Sequence, residues 1–215
     1  MKKKLLIIII CAAVLLSACS PRLIGEAKAK EAGLAMLQQA YDVDLSDAVV
    51  TVAYQERPGV TYRDGQALQY GIEEPKRLYV VLVNPDEIGN AEYYAEVNAV
   101  SGIAYRADKA PLNIELTKEQ KKKIEAIQYP EDLSKYSFSD EQVESMWFSA
   151  DWLKLHFEPD MERLCSIPGT EMTDNTTPQH WIESYAVYRN GHIYLVQLLW
   201  PTMEVTSVYL FDQEA

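Results

Sequence analysis

Tyr94-Ala95-Glu96-Val97-Asn98-Ala99-Val100-Ser101-Gly102-Ile103-Ala104-Tyr105 reads as strand, turn, strand. From Glu92 to Val100 apolar and polar side chains alternate, the period that sends successive residues to opposite faces of a sheet. Ser101-Gly102 turns the chain, and Ile103 to Arg106 returns as the paired strand. Two residues suit the turn for different reasons. The short amide of Asn98 can bond the turn backbone. Gly102 tolerates the left-handed conformation that a side chain resists.

Working toward the N-terminus, Arg77 to Val83 is a near-continuous apolar strand stopped by Asn84-Pro85. Val49 to Gln55 is β-branched and aromatic, a strand broken by Arg57-Pro58-Gly59. Thr61 to Ile72 is ambiguous between them, although Arg63-Asp64-Gly65-Gln66 could turn a small hairpin. Glu26 to Tyr41 is rich in good helix formers and places Leu34, Leu37 and Tyr41 on one face, so it predicts a helix.

Toward the C-terminus the texture changes at Asp108 to Leu116. Thr117-Lys118-Glu119-Gln120 is a capping box that opens a basic helix running to Gln128, and Tyr129-Pro130 ends it. Lys121-Lys122-Lys123 reads as a solvated helix face. Ser139-Asp140-Glu141-Gln142 is a second capping box, followed at helical spacing by Val143, Met146, Trp147, Ala150, Leu153 and Phe157. Ser166 to Gln179, with Pro168-Gly169, Asp174-Asn175 and Pro178, reads as a loop. Glu183 to Tyr188 and His192 to Trp200 are strands joined by Asn190-Gly191, a strong hairpin signal, and Glu204 to Phe211 is a last strand. A helix followed by antiparallel strands therefore occurs twice. A faint likeness links Leu78-Tyr79-Val80-Val81 to Ile193-Tyr194-Leu195-Val196, and Glu96-Val97-Asn98 to Leu210-Phe211-Asp212.

On these residues the first half, about Gly25 to Lys109, resembles the PepSY domain. That family's tail is an apolar strand, Asp or Asn, a small residue, a turn closed by Gly, and a short final strand. Asn98 stands here where Asp is usual, and the insertion at Thr61 to Ile72 departs from the small form of the domain. The resemblance implies a helix packed on an antiparallel sheet, without catalytic residues. Such modules occur in secreted and membrane-anchored bacterial proteins, where they restrain peptidases or act in envelope regulation. The expected fold class is α+β, two tandem modules, each a helix packed on an antiparallel sheet. The expected segments are a signal peptide over 1–18, a tether over 19–25, and a PepSY-like module over 26–109. A linker with a short helix covers 110–138, and a second module, a divergent repeat in outline, covers 139–215.

Lys2, Lys3 and Lys4 precede an uncharged apolar run, Leu5 to Leu16, the pattern of a secretory signal too short for a comfortable membrane span. Leu16-Ser17-Ala18-Cys19 resembles the bacterial lipobox, which implies that Cys19 is diacylated and becomes the first residue of the mature chain. The expected location is the extracytoplasmic face of the cell membrane, with the lipid on Cys19 as the membrane contact. Two acyl chains suffice for firm anchoring where one does not. Of the twenty basic residues three lie in the first eighteen positions, and of the thirty-two acidic residues none does, so the mature chain carries a formal charge of −15. That charge repels nucleic acid and anionic lipid headgroups, so both are poor partners, and no nucleic-acid partner is expected. Loss of Cys11 and acylation of Cys19 leave Cys165 alone, so no internal disulfide forms, and Cys165 is expected to be a buried small hydrophobe.

The search for chemistry returns little. His156, Glu158, Asp160 and Glu162 sit two apart around Pro159, the wrong spacing for helix-borne metal ligands, and read as a solvated acidic turn. No nucleophile elbow or phosphate-cradling loop is present in the sequence. No catalytic residue, metal or cofactor is expected. All four Trp lie in the second half; core packing is the first expectation for each, with Trp147 on the helix stripe. Trp152 and Trp181 are the two that would form a peptide or glycan platform if exposed. The last strand, with Val205 and Val208, is a candidate edge for pairing with an extended peptide. The expectation is a non-enzymatic lipoprotein that binds a protein or peptide at the envelope. The alternatives are a small-ligand-binding lipoprotein with a cleft between the modules and, more remotely, a hydrolase.

Overall fold

Helix α1 spans Glu26–Tyr41, as its composition predicts. Its buried side is Ala29, Gly33, Met36, Leu37 and Ala40, the spacing of one helical face. Gly33 lets that face approach the sheet closely, since a Cβ there would lie 2.8 Å from Val81 Cγ2. The computed structural model describes residues 21–57, 60–62, 68–70, 76–112, 115–127, 138–173 and 178–211. Cys19, the signal peptide, the Arg63-Asp64-Gly65-Gln66 turn and Asn175 lie outside them.

The strands are β1 (Val50–Arg57), β2 (Val60–Tyr62), β3 (Leu68–Tyr70), β4 (Lys76–Val83), β5 (Tyr93–Asn98) and β6 (Ala104–Lys109). Two helices follow, α2 (Lys118–Glu125) and α3 (Asp140–His156). The chain then forms β7 (Arg163–Thr173), β8 (His180–Tyr188), β9 (Ile193–Trp200) and β10 (Glu204–Phe211). Both capping boxes form, with Thr117 and Ser139 accepting from the backbone N–H of Gln120 and Gln142. At the β5–β6 turn, Asn98 Oδ1 accepts from the N–H of Val100 and Ser101 at 2.9 Å, and Gly102 sits at φ 80°. The inserted segment pairs β2 with β3 antiparallel, apart from the main sheet.

The fold is α+β, with an eight-stranded antiparallel sheet ordered β1-β4-β5-β6-β10-β9-β8-β7. Each half is thus a helix followed by a four-stranded meander, the β2–β3 insertion aside, and the two meanders meet at their last strands. The expected helix-and-sheet plan thus occurs twice, within a single sheet. The halves are hydrogen-bonded into one sheet, and one cluster of buried side chains runs from Leu37 and Val81 through Ala107 and Val208 to Leu153 and Ile182. The faint internal likeness is also one strand out of step. It matched β4 with β9, whereas the topology makes β4 equivalent to β8 and β5 to β9.

The seam between the halves is densely bonded. The Tyr41 hydroxyl reaches the carbonyls of Ala107 at 2.9 Å and Thr206 at 3.1 Å. Lys109 pairs with Glu204 at 3.0 Å, and Gln39 and His156 exchange side-chain-to-backbone hydrogen bonds at 2.7 and 2.8 Å. The expected linker also packs: Leu116 is buried, Ile124 and Ile127 lie against the core, and Lys123 pairs with Glu144.

Residues 166–173, expected in a loop, belong to β7. Pro168 is tolerated because β7 is an edge strand, one side of which has no ladder partner to lose. A bulge between Pro168 and Glu171 absorbs the irregularity. Gly169 is needed there, because a Cβ would lie 2.8 Å from the carbonyl oxygen of Glu183. Cys165, expected to be buried, is exposed on the same strand, because edge residues lack a second neighbour to cover them. The acidic turn is not all solvated: Glu158 is buried, and its carboxylate accepts from His192 Nδ1 at 2.5 Å and the Tyr194 hydroxyl at 2.9 Å.

Candidate functional site

Residues paired across an antiparallel ladder point to the same face. Ala95, Ala107, Val208 and Val196 are so aligned, and they share the core with residues of α1 and α3. Both long helices therefore cover one face of the sheet. The alternate residues carry the other: Tyr94 and Glu96 on β5, Arg106 and Asp108 on β6, and Ser207, Tyr209 and Phe211 on β10. Beyond them lie Leu195 on β9, Trp181 and Tyr185 on β8, and Ile167 and Met172 on β7.

An aromatic row crosses this face, which carries no helix among the described residues. Tyr105 meets Tyr209 edge-on at 5.6 Å, Tyr209 meets Phe211 at 4.9 Å, and Phe211 stacks against Tyr185 at 6.3 Å. Phe211 is 37 % exposed, Met172 42 % and Ile167 48 %. Large apolar side chains in one surface patch mark interaction sites more often than the same residues scattered singly.

At its β5–β6 end the row runs into a charged network. Glu96 is buried and accepts from Arg57 Nη1 at 2.8 Å, from the Tyr105 hydroxyl at 2.8 Å and from the Tyr94 hydroxyl. Arg57 comes from β1, crosses over β4, and also donates to the Tyr94 hydroxyl at 3.0 Å. Arg106 grips Asp108 with two nitrogens at 3.1 and 2.7 Å, lies 3.7 Å from Glu96 and covers the Tyr94 ring. Ser207 Oγ donates to Asp108 at 2.6 Å, which ties the network across the seam. Burial pushes the Glu96 carboxyl up, but hydrogen bonds from Tyr94, Tyr105 and Arg57 outweigh it, and its pKa falls below the ordinary value. Burial and Glu96 together raise the Tyr94 hydroxyl to about 12. The network is a fixed, ionised rim with every named partner engaged.

The structure separates the residues singled out from sequence. Val205 and Val208 are buried, and β10 lies between β6 and β9, so it is no edge. The error has a simple cause: Val208 belongs to the core-facing set of its strand, whereas Tyr209 and Phe211 occupy the alternate positions that reach the open face. Trp181 lies on the open face, half-buried. Trp152 is on the helix side, half-buried against His156 at 4.8 Å and Phe157 at 5.6 Å. Trp147, expected in the core, is 54 % exposed with Arg163 over its ring. Among the described residues no group of three or more His, Cys, Asp or Glu is arranged to hold a metal. None of the helices there is long and apolar enough to cross a membrane.

No protein-family model matches the chain. No curated protein matches it either. Among solved structures it is similar to the Bacillus megaterium YpeB C-terminal domain, at 10 % sequence identity and a TM-score of 0.42. The match covers 87 % of this chain and 63 % of that one, so the chain spans less than two thirds of that structure's length.

Proposed function

We propose that this protein is a lipid-anchored, non-enzymatic binding module at the extracytoplasmic face of the membrane, and that it holds a protein partner against the helix-free face of its sheet. The observation that carries this reading is the aromatic row from Tyr105 through Tyr209 and Phe211 to Tyr185, extended by exposed Ile167 and Met172. Aromatic anchors framed by a polar rim have the composition of an interface core. The patch runs over five adjacent strands, β6 to β7, a width of roughly 19 Å at the usual strand spacing. That breadth suits a folded surface better than one extended peptide. Strand addition at β7 is disfavoured by Pro168 and by two register shifts, the devices with which sheets blunt an edge.

The anchor is Cys19, proposed from the Leu16-Ser17-Ala18-Cys19 match. Tethering raises the local concentration of a weak interaction without new contacts. Two variants test the parts separately. Cys19→Ala should leave the membrane fraction and take up no labelled fatty acid; membrane retention like wild type would contradict the anchor. Phe211→Ser with Ile167→Ser alters exposed side chains and should leave the fold intact. The double variant should lose at least about tenfold in recovery of a membrane partner, the loss of one or two anchor contacts. Equal recovery by both proteins would contradict the face.

A further inference from the structure

We propose that β1, an outer strand of the sheet, is a dimer interface, where it pairs antiparallel with β1 of a second copy of this chain. The sheet ends at β1 on one side and at β7 on the other. The two edges are built differently. Strand β7 carries Pro168 and two register shifts, which blunt it. Strand β1 pairs with β4 along its whole length, Val50 to Arg57, without a shift, and it contains no proline. The inserted strands β2 and β3 pair with each other, and no described strand bonds the outer side of β1.

The ladder fixes which backbone groups are left over. The Asn84 N–H donates to the Val49 carbonyl at 2.8 Å, and the Glu92 N–H donates to the Val83 carbonyl at 3.0 Å. Bonded and non-bonded pairs alternate along an antiparallel ladder. Thr51, Ala53, Gln55 and Arg57 therefore bond β4, and Val50, Val52, Tyr54 and Glu56 turn their N–H and C=O groups outward. Such a row is a template for another strand.

The residues of β1 suit a copy of themselves. A two-fold axis at Ala53, perpendicular to the sheet, gives the one register in which all four outward residues bond one another. Val50 then lies opposite Glu56 of the second copy, and Val52 opposite Tyr54. The same register sets Gln55 beside Thr51, and Arg57 beside Val49, which is 67 % exposed. Aromatic and β-branched partners meet at Tyr54 and Val52, and no like charges face each other. The chain's negative charge opposes self-association, but charges more than about 8 Å apart are largely screened at physiological salt. The contact is isologous, so it closes at two copies. It leaves both open faces on the same side of one continuous sheet and uses neither.

Disulfide trapping in the full-length chain tests the register. Residues in a non-bonded antiparallel pair have Cα atoms about 4.5 Å apart, within disulfide reach. Ala53→Cys in a Cys165→Ser background should give a product of twice the chain's mass under mild oxidation. Cys165→Ser alone should not. Neither should Thr51→Cys in that background, because its counterpart lies roughly 13 Å along the strand. Sedimentation of the purified full-length chain should show a dimer with Kd of about 10 µM or tighter. Ala53→Lys sets two ammonium groups face to face at the axis and should weaken the dimer at least tenfold. Its urea midpoint should hold, because Ala53 is exposed. General repulsion predicts the opposite, since the added lysine lowers the net negative charge. A chain monomeric up to about 100 µM would overturn the proposal, as would trapping from Thr51→Cys as efficient as from Ala53→Cys. So would a dimer unchanged by Ala53→Lys. Trapping of Ala53→Cys onto a different protein alone would assign the edge to another partner and overturn it too.

Discussion

Glu96 shows how one residue can tie strands together. Its carboxylate gathers Arg57 from β1, Tyr94 from its own strand and Tyr105 from β6. Its pKa is lowered in the folded protein, so the fold favours the ionised form. The stabilisation is therefore fully present above the unfolded carboxyl value near 4.5 and is lost as pH falls through the lower folded value. Glu96→Gln should cost about 2–3 kcal/mol near neutral pH, because Arg57 loses its ionic partner and two tyrosine hydroxyls lose a charged acceptor. Urea titrations at descending pH should show the wild type losing stability through the acid range and converging on the variant. Parallel curves would mean that Glu96 does not carry this linkage. The turn beside it was legible in the sequence, since Asn98 and Gly102 do what their side chains dictate locally. The network was not, because Arg57 reaches Glu96 from 39 residues away and no periodicity encodes that distance.

At the scale of elements, local signals were read well where they were strong. The helix over Glu26–Tyr41, both capping boxes and the strand Glu204–Phe211 lie where the sequence put them. Strand β7 was missed because Pro168-Gly169 carries a turn signature, while the strand survives by sitting at an edge with a bulge. Gly169→Ala should cost about 1–3 kcal/mol, since the colliding atom is a backbone oxygen of β8 and not a yielding side-chain tip. A neutral urea midpoint would show that the close approach relaxes freely. The position of β10 was the costlier error, for alternation shows that a strand has two faces but not which neighbours it finds. Val208 is fully buried in a strand bonded on both sides. Val208→Pro should therefore cost about 3 kcal/mol or more and abolish the native circular dichroism spectrum. A well-folded Val208→Pro protein would contradict the central placement of β10.

For the whole molecule, the shared sheet and core predict one cooperative unit despite the repeated helix-and-meander plan. All four Trp lie in the second half, whereas backbone dichroism reports both halves. Urea transitions followed by the two signals should coincide, the ordinary mark of two-state unfolding. A separate tryptophan transition would mean that the halves melt independently. The same architecture places both long helices on one side and leaves the aromatic row on the other, and that division is the centre of the functional account. In-cell photocrosslinking measures it most directly, with a photoreactive phenylalanine analogue placed in turn at Phe211 and Ile167 on the open face and at exposed Leu155 on α3. The account predicts one discrete protein adduct from positions 211 and 167 and none of that size from 155. Adducts from position 155 alone would contradict it.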